Sequence, residues 1–204
     1  MKLVVFGATG GTGRAAIAAA VARGDQVTAF ARRPDRLRRA DLRVIEGDAL
    51  DAGAVAGAIQ GQDAVLSVLG APPWRHGEVC ERGTRNIVDA MRQHSVRRLV
   101  VVSQLGAAES RQHLGWMSRR VALPLLLGRG LGDKERMEEI VRGSDLEWLI
   151  VRPALLTSGL PRGSWRVAVD GSIHGGFITR ADLASFCVVQ LTSDQYLHQA
   201  PSLA

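Results

Sequence analysis

Glycines near the start of the chain have the spacing of a phosphate-binding turn. The run Gly7-Ala-Thr-Gly10-Gly-Thr-Gly13 follows a strand-like segment, Lys2 to Phe6, and opens a helical pattern. In such a turn the first glycine permits the tight reversal, the middle ones let the backbone approach a phosphate, and the last lets the helix pack against the strand. We therefore predict a dinucleotide pyrophosphate site formed by Gly7, Thr9, Gly10, Gly11, Thr12 and Gly13. A sharp strand-to-helix turn without a ligand is the alternative.

Two arginines follow the second predicted strand, at the place where an NAD site usually carries an acid for the ribose 2′-hydroxyl. They are Arg32 and Arg33. A guanidinium forms a bidentate contact with a phosphate, so this pair predicts binding of the 2′-phosphate and a preference for NADPH over NADH. The alternative is that both arginines belong to the basic start of a helix over Pro34 to Arg39.

The ends of later strands supply further predicted cofactor contacts. In a doubly wound sheet these positions reach the adenine and the nicotinamide-side ribose. Asp48 could instead be the N-cap of the helix that follows it. The predicted contacts are Asp48 and Ala49 after the third strand, Leu69 and Gly70 after the fourth, and Pro153 after the sixth.

Short apolar segments alternate with helical patterns along the first three quarters of the chain. The predicted strands cover Lys2 to Phe6, Gln26 to Phe30, Leu42 to Glu46, Asp63 to Val68, Arg97 to Val102 and Leu146 to Val151. The predicted helices cover Thr12 to Arg23, Pro34 to Arg39, Asp51 to Gln60, Gly77 to His94 and Asp133 to Arg142. Such alternation predicts an α/β fold with a doubly wound parallel sheet of Rossmann type.

The remainder of the chain is less regular. We expect short strands near Arg166 to Val169 and Gly176 to Thr179, and a helix from Ala181 to about Leu191. No linker or repeat separates this tail, so residues 1–204 are predicted to form one domain. Residues from about 153 onward, and the irregular segment 108–132, are expected to shape the substrate side.

Composition narrows the class of protein. The net charge is +6, but the arginines are scattered among acids and form no long basic block, so nucleic-acid binding is not expected. Cys80 and Cys187 lack metal-ligand spacing and are expected to be small core residues. The five histidines show no spacing for a metal or a catalytic triad, so no metal site is predicted.

The chain shows no segment that predicts export or membrane insertion. The start passes directly from strand to glycines without a signal-peptide pattern. The longest apolar run, Val121 to Leu127, is too short to cross a bilayer. We therefore expect a cytoplasmic protein that does not bind membranes and is a monomer or a homodimer.

Taken together, these motifs resemble the atypical short-chain dehydrogenases/reductases, with the biliverdin-IX-beta reductase and flavin reductase family the most similar. The resemblance covers most of residues 1 to 155 and implies a Rossmann fold, use of NADPH and a planar, conjugated substrate. A looser similarity covers Ile178-Thr-Arg-Ala-Asp-Leu183. Besides the glycine turn, the similar blocks are Val27-Thr-Ala-Phe-Ala-Arg32, Gly47-Asp48, Gly61-Gln-Asp-Ala-Val65, Gly83-Thr-Arg-Asn-Ile-Val88 and Ser144-Asp-Leu146 through Arg152-Pro153.

One departure from standard short-chain dehydrogenases concerns the proton donor. Those enzymes use a Tyr-x-x-x-Lys pair in which the lysine lowers the tyrosine pKa. Lys134 lies where that lysine is expected, but Gly130 occupies the tyrosine position, and the only tyrosine is Tyr196. Ser103 and Gln104, after the fifth strand, are the candidates for polarising the substrate, with solvent as the proton source. The alternatives are that Ser103 only satisfies backbone groups and that Lys134 is a solvated residue in the first turn of a helix.

The function that these features predict is NADPH-dependent reduction of a conjugated small molecule such as a flavin, a tetrapyrrole or a quinone. Candidate catalytic residues are Ser103, Gln104 and Lys134, of which Ser103 and Lys134 are also candidate cofactor contacts. Two alternatives stay open: a non-catalytic NADP-binding sensor of the NmrA-like kind, and a reductase or epimerase of a secondary-metabolite pathway.

Overall fold

The computed structural model describes residues 1–37, 42–70, 78–108 and 123–204, with side chains from residue 131 onward in the last range. The elements are β1 (Lys2–Phe6), α1 (Gly11–Ala22), β2 (Gln26–Ala31), β3 (Arg43–Glu46), α2 (Ala52–Ile59), β4 (Ala64–Ser67), α3 (Val79–Gln93), β5 (Arg98–Val102), α4 (Leu123–Arg142), β6 (Glu147–Pro153), β7 (Leu155–Thr157), β8 (Val167–Ala168), β9 (Phe177–Thr179), α5 (Arg180–Gln190) and β10 (Ser202–Leu203).

The main sheet confirms the predicted doubly wound α/β fold. Within the described residues it has eight strands in the order β3-β2-β1-β4-β5-β6-β10-β8. The pairs from β3 through to β10 are parallel, and β8 is antiparallel to β10. The strand order reverses between β1 and β4, which is where this kind of sheet opens a crevice for a dinucleotide. The glycine turn that follows β1 lies at that crevice.

Alternation along each strand buries both faces of the sheet. Leu3 and Val5 of β1 belong to the core on the side of α1 and α5. Val4 and Phe6 belong to the core on the side of α2, α3 and α4. Because successive side chains point to opposite faces, an apolar strand without polar positions is what a sheet covered by helices on both sides requires.

Two predicted helices differ from the structure. The helix over Pro34 to Arg39 is wrong in its described part, where only a 3-10 turn over Pro34–Arg36 forms; positions 38 and 39 lie outside the described residues. The helix that was expected to begin at Asp133 begins ten residues earlier, at Leu123.

The early start of α4 corrects the irregular segment predicted for 108–132, because 123–132 is helical. The glycines at 128, 130 and 132 are unfavourable within a helix, whereas Pro124 is well tolerated in a first helical turn. Strands β7 and β10 were missed, since two- and three-residue strands are defined by their partners rather than by periodicity.

Candidate cofactor site

The glycine turn contains two glycines that the fold itself requires. Gly7 has a φ of +78°, and a β-carbon there would lie 2.6 Å from the carbonyl oxygen of Val68 at the end of β4. At Gly13 a β-carbon would overlap the Gly7 carbonyl and lie 2.8 Å from the Cα of Ala8. These two positions bring α1 close to the sheet.

Gly10 is different, because the protein does not fill the space beside it. A β-carbon at Gly10 would meet the Gly7 carbonyl oxygen at an ordinary 3.4 Å and nothing closer. Gly10 is the N-cap of α1, but no side chain caps the helix and no acid lies in its first turn. The positive end of α1 therefore has backbone amides available for an anion, which is the arrangement that binds pyrophosphate.

Arg32 and Asp48 lie side by side at the ends of β2 and β3. The Arg32 guanidinium is 4.0 Å from the Asp48 carboxylate, and the two side chains are 61% and 42% exposed. Such an exposed pair is weak and leaves both groups accessible to a ligand. Arg33 is exposed as well.

The N-cap of α2 is Asp51, so the alternative reading of Asp48 as that N-cap is wrong. The Asp51 carboxylate accepts hydrogen bonds from the Gly53 and Ala54 amides at 2.9 and 3.1 Å. Asp48 instead accepts a hydrogen bond from the Leu50 amide at 3.1 Å, which shapes the loop after β3.

Helix α3 supports the loops in which Ala49 and Leu69 lie. A β-carbon at Gly83 would be 2.9 Å from the Cδ1 of Leu69 and 3.2 Å from the Cβ of Ala49, so glycine at this position allows a close approach. The Asn86 side-chain amide donates a hydrogen bond to the Ala49 carbonyl at 2.9 Å. Gly83 and Asn86 lie in a block that resembles the family, but the sequence pattern indicates no role for either residue. Ala49 and Leu69 are buried, whereas Gly70 is exposed.

Ser103 and Gln104 present polar atoms that have no partner among the described residues. The Ser103 amide donates a hydrogen bond to the Val151 carbonyl at 2.8 Å, but its hydroxyl is buried and without a partner. The side-chain nitrogen of Gln104, Nε2, is also buried and without a partner. The alternative that the Ser103 hydroxyl satisfies strand-end backbone is therefore wrong. Buried polar atoms are normally paired, so this strand end is suited to a polar ligand.

Lys134 is buried in the middle of α4, so the alternative of a solvated residue in a first turn is wrong. Its ammonium group donates hydrogen bonds to the Leu69 and Val102 carbonyls at 2.8 and 2.6 Å and lies 3.9 Å from the sulfur of Met137. An ammonium group has three N–H donors, and two are used on the carboxyl ends of β4 and β5. At most one remains for a ligand.

A buried ion pair sets the position of α4. Arg152 in β6 donates a hydrogen bond from Nε to Glu138 at 3.0 Å, and its terminal NH2 group contacts the same carboxylate. Glu138 is one helical turn after Lys134, so the pair directs this face of α4 towards the strand ends. The sequence signal was an arginine directly after the apolar run Trp148 to Val151.

Asp133 caps α3 and contributes to the environment of Cys80. Its carboxylate accepts hydrogen bonds from the Cys80 and Glu81 amides at 3.0 and 2.8 Å. Burial raises the pKa of Cys80 to about 11 and that of Cys187 to about 12. Both thiols are thus neutral, buried residues, as predicted, and neither is a nucleophile.

Tyr196 lies at the edge of the sheet opposite the glycine turn. Its neighbour Asp194 pairs with Arg98, the first residue of β5, and the His198 amide bonds to the Trp148 carbonyl near the start of β6. The phenol ring packs on Phe186 at a centroid distance of 5.9 Å. This position separates the only tyrosine from the candidate site.

The tail of the chain, from about residue 153 onward, forms a cavity. Its volume is about 340 Å³, and its walls include Trp165 and Phe177 together with Arg162 and Arg166. Asp182, at the start of α5, holds the wall by accepting hydrogen bonds from the Arg162 and Gly163 amides, each at 3.0 Å. Residues 109–122 of the irregular segment predicted for 108–132 lie outside the described residues.

Comparison with protein families identifies this arrangement. A family model described as NAD(P)H-binding matches residues 7–194 of the chain. The chain belongs to this NAD(P)H-binding family. The match begins at the glycine turn and extends beyond α5, and it confirms the resemblance to atypical short-chain dehydrogenases/reductases at the level of the cofactor-binding domain.

Individual relatives agree with that assignment. The chain is similar to ChuY, an anaerobilin reductase from Escherichia coli O157:H7, with 25% identity and a TM-score of 0.87 over 100% of this chain and 96% of that one. A short-chain dehydrogenase/reductase from Veillonella parvula in complex with NADP has the same fold, with 16% identity and a TM-score of 0.83 over 100% and 94% of the two chains.

Two curated sequence relatives have slightly higher identity to this chain than these structures. An uncharacterised chloroplastic protein of Arabidopsis thaliana is 28% identical over 95% of this chain and 73% of its own length. An uncharacterised protein of Mycobacterium tuberculosis is 29% identical over 85% of this chain, which spans 22% of that relative. Within the described part of the chain, no helix combines the length and apolar character needed to span a membrane.

Proposed function

We propose that this protein is an NADPH-dependent reductase of a conjugated small molecule. The observation that carries the proposal is the pair of buried, unpartnered polar groups of Ser103 and Gln104 at the carboxyl edge of the same sheet whose first turn is open at Gly10. A strand end that served packing alone would normally pair such buried polar atoms within the protein.

The residues present fit a dinucleotide. We assign its pyrophosphate to the amides of Gly11, Thr12 and Gly13, and the lack of a side-chain cap in the first turn of α1 supports this assignment. We assign the 2′-phosphate to Arg32 and Arg33. When bound, NADPH supplies a hydride. The Veillonella relative crystallised with NADP supports this choice of cofactor.

Ser103 and Gln104 would donate hydrogen bonds to the acceptor as negative charge develops on it. Such donors stabilise a transition state because they are oriented before the reaction begins. Lys134 donates hydrogen bonds to the Leu69 and Val102 carbonyls and so fixes the strand ends next to which these donors lie. Solvent supplies the proton, because Tyr196 lies at the opposite edge of the sheet.

The tail supports a planar substrate. Phe177 is 61% exposed and pairs in register with Leu155, which is 64% exposed, so β7 and β9 present an apolar surface. The adjoining cavity adds Trp165 and two arginines, a combination that suits a conjugated molecule with acidic groups. The anaerobilin reductase similarity supports a tetrapyrrole as one member of this class.

We further propose that residues 1–204 act as one cytoplasmic domain, a monomer or a homodimer, with no nucleic-acid partner. The tail supports the single domain because α5 packs along α1 and β10 joins the main sheet beside β6. Analytical ultracentrifugation of the purified chain, with and without NADPH, tests the oligomeric state.

The test of the function is a two-step experiment on the purified protein. Calorimetric titration first gives the NADPH affinity, and anaerobic NADPH oxidation at 340 nm is then followed with a flavin, a quinone and a linear tetrapyrrole. We expect tight binding and turnover with at least one acceptor. Tight binding without turnover on any acceptor would favour the NADP-sensor alternative.

A further inference from the structure

An arginine at the start of helix α5 lies against the glycine turn. Arg180 is the first residue of α5, and the N-cap Thr179 fixes this end of the helix by accepting a hydrogen bond from the Asp182 amide at 3.0 Å. A β-carbon at Gly11 would lie 2.8 Å from the Cδ and 3.0 Å from the Nε of Arg180. The arginine thus crosses the backbone of Gly11, and the absence of a side chain at Gly11 makes room for it.

The position of this guanidinium is electrostatically unfavourable without an anion. It lies beside the first turn of α1, whose dipole is positive at this end, and Arg14 occupies the same turn. Among the described residues no carboxylate pairs with Arg180, and its one hydrogen bond is to the Ser158 hydroxyl at 3.1 Å. A guanidinium beside an uncapped helix N-terminus is repelled by the helix dipole unless a negative group lies between them.

We propose that Arg180 binds the pyrophosphate of the dinucleotide. The inference rests on the proposed function and adds a cofactor ligand that comes from the tail rather than from the glycine motif. Because Arg180 also bonds to Ser158 in the loop after β7, the same side chain connects the cofactor with the substrate side. A guanidinium can serve both, since it has five N–H donors.

The pyrophosphate assignment predicts a pattern of affinities that a 2′-phosphate contact would not give. NADPH and NADH share the pyrophosphate, whereas 2′-AMP has the 2′-phosphate without it. We expect Arg180→Gln to weaken NADPH and NADH by the same factor, about tenfold or more, and to leave 2′-AMP binding unchanged. Arg180→Lys keeps the positive charge but cannot form the bidentate contact of a guanidinium, so we expect a smaller loss of dinucleotide affinity.

The experiment is calorimetric titration of these three ligands into the wild-type protein, Arg180→Gln, Arg180→Lys and Arg85→Gln, with a thermal melt of each. Arg85 is an exposed arginine of α3 that pairs with Glu81, and its variant should bind all three ligands like the wild type. Folded Arg180→Gln protein that binds both dinucleotides with wild-type affinity would overturn the proposal, as would an equal loss of 2′-AMP binding. A wild-type protein that binds neither dinucleotide would overturn the proposed function together with this assignment.

Discussion

At the scale of single residues, we expect the arginines after β2 to determine whether the protein prefers NADPH or NADH. Arg32 is 61% exposed and only weakly paired with Asp48, so its guanidinium can move to a 2′-phosphate at little cost. We expect the Arg32→Ala, Arg33→Ala double variant to bind NADPH about ten- to a hundredfold more weakly and NADH almost unchanged, because one charge-assisted contact contributes about 1.5 to 3 kcal/mol. Titration of both cofactors measures the change. Equal affinities in the wild type would refute the 2′-phosphate role.

The unpartnered side chains at the end of β5 lead to a second expectation at this scale. Ser103→Ala and Gln104→Ala should each lower kcat, by up to about a hundredfold, since each removes a donor to developing negative charge. Tyr196→Phe is the control and should keep full turnover, because the phenol lies at the opposite edge of the sheet. Steady-state NADPH oxidation compares them. A dead Tyr196→Phe enzyme beside two fully active variants would contradict the arrangement.

At the scale of elements, different glycines of the turn after β1 are expected to serve cofactor binding and packing of the fold. Gly10→Val should abolish dinucleotide binding in a folded protein, because the space beside Gly10 is open and suited to a phosphate. Gly13→Ala should instead lower the melting temperature, because its β-carbon would overlap the Gly7 carbonyl. Circular dichroism melts and titrations distinguish them.

The matched control is Gly57→Ala on the exposed face of α2, where a β-carbon meets nothing within 4 Å. It should bind like the wild type and melt no lower, because alanine favours a helix over glycine. Retained tight binding in Gly10→Val would show that the turn is structural only.

The sequence was informative about elements wherever a local pattern was strong. The six predicted strands correspond to β1 to β6, with bounds differing by a residue or two. The turn after β1 was also recognisable, because strand, glycines and helix follow one another directly. The sequence did not predict elements that depend on distant partners, such as β10 beside β6. It also did not predict the start of α4, because glycines are uncommon within a helix.

Within the candidate site, the sequence located strand ends but not the contacts between them. Lys134 was predicted as a functional residue, yet its bonds to the Leu69 and Val102 carbonyls depend on how α4 packs on the sheet. The Arg180 contact with Gly11 joins residues far apart in the chain, and no spacing rule could indicate it.

At the scale of the whole molecule, Asp182 connects the chain around Arg162 to helix α5, which packs on α1. Burial raises the pKa of its carboxyl, but the Arg162 amide, the Thr179 hydroxyl and the Gly163 amide lower it more, so the net pKa lies below its ordinary value. A carboxyl with a lowered folded-state pKa stabilises the protein above its unfolded pKa. That contribution is lost as the pH falls through the folded-state pKa.

We therefore expect Asp182→Asn to reduce stability by about 2 to 3 kcal/mol at neutral pH, since hydrogen bonds to a charged acceptor are lost. The difference from wild type should shrink as the pH falls below about 4, where the unfolded carboxyl begins to protonate. Urea unfolding at several pH values measures it, with exposed Asp89→Asn as the control. A difference that is constant with pH would show that the ionised carboxylate is not what holds the tail.

The most direct test of the whole account is anaerobic NADPH oxidation at 340 nm by the wild-type protein, with flavin, quinone and linear tetrapyrrole acceptors, beside folded Gly10→Val protein. We expect oxidation that requires both protein and acceptor, with reduced acceptor formed in equal amount, and its loss in Gly10→Val. A wild-type protein that binds NADPH tightly and oxidises none of it with any of the three acceptor classes would contradict the account.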